Sequence, residues 1–183
     1  MQSFPFTHWP FWRKILFRFV VIYTFFYAFP LQWLGQLPII NVFSEWYGQV
    51  EKWFVEKANQ SIFHIKDVLI SPAGSGDTSY VYAYLCLITL IATVGTLIWT
   101  LLDRHRKNYE QGYYWLLIAL RYYVAMVSFL YGIIKLFALQ MTFPSLSQLA
   151  TPLGDLSPMR LSWFFIGYST PYEFFSGAAE CLA

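Results

Sequence analysis

Apolar residues fall into four runs along this chain. The first extends from about Arg13 to Trp33, the second from Tyr80 to Leu102 and the third from Tyr113 to Leu139; a fourth begins near Pro171 and is still running at Ala183. About twenty consecutive apolar residues are needed to cross the hydrocarbon of a bilayer. The pattern therefore predicts an all-α polytopic membrane helix bundle, a single domain over 1–183 with about four transmembrane helices, the last incomplete. Between the first two runs, Phe43, Trp46, Tyr47, Val50, Trp53 and Phe54 recur at the spacing of one helical stripe. They predict an amphipathic helix that lies in the membrane interface or caps the bundle.

Turn chemistry punctuates the runs. Pro72 to Ser79 carries two glycines in a polar stretch, with Asp77 or Thr78 placed to cap the helix that follows. Ser145 is placed to cap a short helix through Leu149, and Ser157 before Pro158 reads as the cap and first residue of another. Thr170, Pro171 and Glu173 read as a third helix start: cap, first residue and first-turn acid.

Only 12% of residues are charged, about half the usual share of a soluble domain, so a polytopic membrane protein is the first reading. Arg13, Lys14 and Arg18 precede or open the first run, and Arg104, Arg106 and Lys107 separate the second from the third. The positive-inside rule places both clusters in the cytoplasm and segments 34–79 and 140–170 outside. The first run lacks a cleavage-like site and reads as an uncleaved signal anchor. A net charge of +2, scattered along the chain, gives no basis for nucleic-acid binding. Cys86 and Cys181 each sit in an apolar run and read as small buried hydrophobes. His8, His64 and His105 have no ligand-like neighbours, no catalytic motif emerges, and Asn59-Gln60-Ser61 matches a glycosylation sequon.

The third run contains two cations, Arg121 and Lys135, and a cation in hydrocarbon is costly. At 100° per residue they share a face with Ser128 and Gly132, and Tyr131 lies at its edge. Glu173 and Glu180, seven residues apart, also share a face. An antiparallel pairing predicts Lys135 beside Glu173 and Arg121 on the Glu180 side. These six polar residues form the candidate network: a lock between helices, or a pocket for a quinone headgroup, an anionic substrate or a proton path.

The stretch Arg121 to Phe137, with Arg121, Gly132, Lys135 and Leu136 in their places, resembles the DoxX-like family of bacterial membrane proteins, and Glu180 occupies the position of an acid in that family's next helix. Gly74 to Thr78, Leu102 to Tyr109 and Gly154 to Pro158 are similar to a longer, functionally unassigned subgroup. The resemblance implies a four-helix unit of the bacterial inner membrane. Founder members of that family are tied to quinone-linked sulfur oxidation or to membrane oxidoreductase assemblies, and the function expected for this chain is an accessory, non-catalytic subunit of a membrane redox assembly that binds a quinone or lipid-like ligand, with the bilayer and other membrane proteins as partners. A small-molecule or ion transporter and a plain membrane scaffold are the alternatives. Family members continue beyond the fourth helix, so the chain reads as the front part of a longer protein.

Overall fold

The computed structural model describes residues 8–28, 38–70 and 76–182, and all its regular elements there are helical. They are α1 (Phe11–Tyr27), α2 (Pro38–Ala58), a π-helical turn (Asn59–Phe63), α3 (Ser79–Leu102), α4 (Glu110–Leu136), α5 (Leu146–Leu149), a 3₁₀ turn (Leu153–Asp155), α6 (Pro158–Gly167) and α7 (Thr170–Leu182). Two of these, α3 and α4, are long and apolar enough to cross a membrane. In their most apolar stretches 22% of α3 and 6% of α4 is buried. Most of the apolar side chains on these two helices are therefore exposed in the structure. Helix α1 has 17 residues and α7 has 13. Residues 29–33 of the expected first span, Ala183, and 71–75 of the expected turn lie outside the described residues.

The chain forms two compact units, Met1–Ser71 with Thr78–Leu117, and Pro72–Asp77 with Ile118–Ala183. In the first unit α1 and α3 run antiparallel. The Tyr84 hydroxyl donates to the Phe26 carbonyl at 2.8 Å, Gly95 faces Ile22, and Arg18 meets Thr100. Gly95 packs directly against the end of the Ile22 side chain, where a Cβ would stand 2.9 Å from Cδ1. Trp9, Phe17 and Tyr109 form a buried aromatic cluster, packed by Val21, Trp99 and Leu116.

Helix α2 turns a different face to the unit than its aromatic pattern suggests. Val55 is fully buried and Ala58 nearly so, and Glu51 accepts a hydrogen bond from the Tyr80 hydroxyl. The stripe of Phe43, Trp46, Trp53 and Phe54 points away, each more than half exposed. The contacts inside the unit thus fall to a neighbouring face, and the aromatic stripe stays exposed.

The π-helical turn ends at His64, whose backbone is left-handed with φ 49°. Asn59 is 3% exposed; its amide donates to the Lys66 carbonyl at 2.7 Å and accepts from Ile65 N–H at 2.9 Å. The sequon asparagine is thus committed to closing a turn, and its nitrogen is inaccessible to a glycosyl donor.

In the second unit two of the expected caps, Ser145 and Ser157, are present. Ser145 forms a reciprocal capping box with Gln148, and the Ser157 hydroxyl accepts from Arg160 N–H with Pro158 in the first turn. Asp77 does not cap α3; Thr78 does, and the Asp77 carboxylate accepts from Met159 N–H at 3.1 Å. Helix α7 starts on the Ser169 carbonyl, so Thr170 lies inside it and is not its cap.

Candidate functional site

Arg18 lies in the third turn of α1 and is 2% exposed. Burying a guanidinium is costly unless its donors are satisfied, and here nearly all of them are. Nε and Nη2 both donate to the Tyr109 hydroxyl, at 2.9 and 2.7 Å. Nη1 donates to the Thr100 hydroxyl at 2.8 Å, and Nη2 to the Asp103 carbonyl at 2.9 Å. The Tyr109 hydroxyl then donates to the Asp103 carboxylate at 2.7 Å. One guanidinium thereby joins α1, the last turn of α3 and the segment that opens α4. Further cations surround this centre. Arg13 stacks over Trp9 at 4.1 Å, Arg106 lies over Tyr109 at 5.1 Å and 3.9 Å from Asp103, and Lys14 donates to the Arg106 carbonyl at 2.7 Å.

The Tyr109 hydrogen bond is the largest cause holding the Asp103 carboxyl below its ordinary range; Arg106 and Arg18 add to it. Burial first, then the bond to Asp103, pushes the Tyr109 phenol up. The two shifts bound a pH window. Asp103 contributes stability above the ordinary carboxylate value of about 3.9, and loses it as pH falls through its depressed folded value. Tyr109 contributes fully below the ordinary phenol value of about 10, and loses it as pH rises through its raised one. Thermal unfolding of the first unit should show a plateau between about pH 5 and 9. Tyr109→Phe should remove the Tyr109 share of the alkaline fall and shift its onset, and an unchanged alkaline arm in that variant would show that Tyr109 contributes nothing to it.

The second unit holds the acids expected to serve the cations of α4. Gly132 on α4 and Gly177 on α7 cross at close range. A Cβ on Gly177 would stand 2.7 Å from the Gly132 carbonyl and 2.8 Å from Lys135 Cβ. Small residues let two helix backbones approach in this way. Next to the crossing Lys135, 8% exposed, pairs with Glu180, while the other Glu180 carboxylate oxygen is buried without a hydrogen bond. Glu173 is 1% exposed, and its carboxylate accepts from Met141 N–H at 2.9 Å.

The expected Lys135–Glu173 pairing is therefore replaced by Lys135–Glu180. The cause is the lean of helical side chains toward their own N-terminus. In an antiparallel pair Lys135 leans toward the level of Glu180, and Glu173 leans out toward the loop after α4. Exchanging charges as Lys135→Glu with Glu180→Lys should restore most of the stability lost in either single variant. The same exchange between Lys135 and Glu173 should restore none. Chemical denaturation in detergent reads both, and rescue by the Glu173 exchange would show that the register is wrong.

Arg121, Ser128 and Tyr131 stand apart. Arg121 and Tyr131 are exposed and Ser128 is half-buried, and none makes a hydrogen bond or ion pair among the described residues. Arg121 lies about 21 Å along α4 from Lys135 at 1.5 Å per residue, so the pair at Glu180 is beyond its reach. Of the six expected network residues, three carry contacts, divided between the ion pair and a helix-start carboxylate. Cys86 is exposed on α3 and not buried, and Cys181 packs beside Gly132.

An open cleft of about 610 Å³ lies in the second unit, lined by Pro144, Leu149, Phe164, Phe165, Tyr168, Ser169 and Tyr172. Its walls are mainly aromatic, with hydroxyl groups at Ser169 and the two tyrosines, which suits a flat or chain-like apolar molecule carrying a few polar atoms. Sequence periodicity does not reveal the partners of Arg18 or this cleft, because their parts come from separate segments. No protein-family model, curated protein or solved structure matches the chain.

Proposed function

We propose that the protein is a multi-pass inner-membrane protein of DoxX-like kind. It acts as a non-catalytic subunit of a larger membrane assembly and binds a quinone or lipid-like molecule. The observation that carries this reading is the contrast among three cations. Arg18 and Lys135 are buried and satisfied within the chain, whereas Arg121, eleven residues into α4, is exposed without a partner among the described residues. An unpaired guanidinium at that depth costs several kcal/mol in lipid, which a carboxylate on a neighbouring membrane protein would remove. The aromatic cleft supports the ligand class. The orientation, N-terminus in the cytoplasm, is supported by two bonds that bring the basic clusters together: Trp9 N–H to the Lys107 carbonyl at 3.0 Å, and Lys14 to Arg106.

The decisive variant is Arg121→Leu. Extracted gently from its native membrane, the wild-type chain should migrate in a native gel at a mass above that of the free protein, and the variant at the free mass. The purified variant should be at least as stable as wild type in detergent, because it loses a charge that nothing in the chain satisfies. A wild type that runs free, or a variant that keeps the higher mass, would refute the subunit reading. Uptake by proteoliposomes containing the protein alone would favour a transporter instead.

A further inference from the structure

We infer that the end of the first unit carrying the basic clusters holds a binding site for the phosphate headgroup of an anionic phospholipid. A cavity of about 270 Å³ opens there beside Arg18, lined also by Phe11, Lys14, Leu101, Asp103 and Arg104. Three cations and one carboxylate face it. The carboxylate is already engaged, by the Tyr109 hydroxyl at 2.7 Å and by Arg106 at 3.9 Å. The cations keep capacity. Arg104 is exposed with no partner among the described residues. Lys14 commits one bond, to the Arg106 carbonyl, out of three available donors. Arg18, held rigid by Tyr109, Thr100 and Asp103, supplies fixed positive charge at the base.

The walls select the source of the phosphate. Phe11 and Leu101 are 67% and 61% exposed at the rim. A free inorganic ion gains nothing from such a border. A phospholipid does, because its glycerol and upper acyl carbons lie along apolar side chains while its phosphate reaches the cations. Residues at this level, close to the last turn of α3, stand where a membrane-spanning helix passes the headgroups. The net positive lining favours an anionic lipid over a zwitterionic one.

The inference rests on the membrane reading, and the test separates the two. The full chain is reconstituted into vesicles of phosphatidylcholine, alone or mixed with phosphatidylglycerol, then re-extracted, and its retained lipid is counted by native mass spectrometry. Phosphatidylglycerol should be retained on the order of tenfold over its share in the mixture. Lys14→Gln with Arg104→Gln should abolish that preference, and Arg104→Gln alone should weaken it without touching the Arg18 bonds. Lys57→Gln with Lys66→Gln, an equal charge change outside the cavity lining, should leave it intact. Integration into both vesicle types with no preference would overturn the headgroup site alone. Failure to integrate into either would overturn the membrane reading with it. Retention of inorganic phosphate at the same cations, displacing lipid at millimolar concentration, would overturn the lipid as occupant.

Discussion

Arg18→Met is expected to destabilise the first unit by about 3 kcal/mol, the order seen when a buried charged group that anchors several partners is removed. The substitution keeps a long apolar stem and so isolates the guanidinium. It leaves the Asp103 carbonyl and the Thr100 hydroxyl without their donor and frees the Tyr109 ring from its tether. Arg18→Lys should recover little, because an ammonium cannot span Tyr109, Thr100 and the Asp103 carbonyl as the planar fork does. Emission from Trp9, which is 4% exposed within the same aromatic cluster, reports the loss during denaturation in detergent. A lysine variant as stable as wild type would show that charge alone, and not the fork, holds the three segments. Combined with Tyr109→Phe, the loss should be well below the sum of the two single effects, since both remove the same bonds.

The second large effect is expected at the glycine crossing. Gly177→Ala places a methyl group 2.7 Å from the Gly132 carbonyl, 2.8 Å from Lys135 Cβ and 2.9 Å from the Leu136 nitrogen. None of these atoms is the mobile end of a side chain, so the helices must separate. Overpacking of this kind costs about 1–3 kcal/mol, and the Lys135–Glu180 pair should be lost with it. Gly48→Ala is the matched control. Gly48 lies inside α2 with nothing within 4 Å of the added carbon, and alanine there should stabilise by up to about 1 kcal/mol. If thermal melts rank the two variants equally, the crossing is not a tight one.

Much of the helix pattern could be read from single segments. The apolar runs that became α3 and α4 declare themselves by length and composition, and Ser145, Ser157 and Thr78 declare helix starts because a cap acts within three residues. The pairings were less accessible. Glu173 and Glu180 share a helix face, and spacing alone treats them alike; the choice between them depends on side-chain lean at the Gly132–Gly177 crossing. Arg18 was read as one member of a basic flank. Its position inside the apolar run, with an aromatic on either side, was the available signal that it turns inward. Its partners lie 82 to 91 residues away, which no local pattern encodes. The face of α2 was ambiguous for the same reason. Its strongest stripe is aromatic, but Val55 and Ala58 on another face make the contacts inside the unit.

The Arg18 tether also sets a schedule. The ribosome makes α1 before α2 and α3, and with it a guanidinium that has no partner in its own helix. Thr100, Asp103 and Tyr109 emerge only after α2 and nearly all of α3 have been synthesised. Until then the first helix carries its charge bare, at a cost of several kcal/mol if it sits in hydrocarbon. Its place in the first unit is therefore secured only once Tyr109 has emerged, although α1 itself is made before α2 and α3.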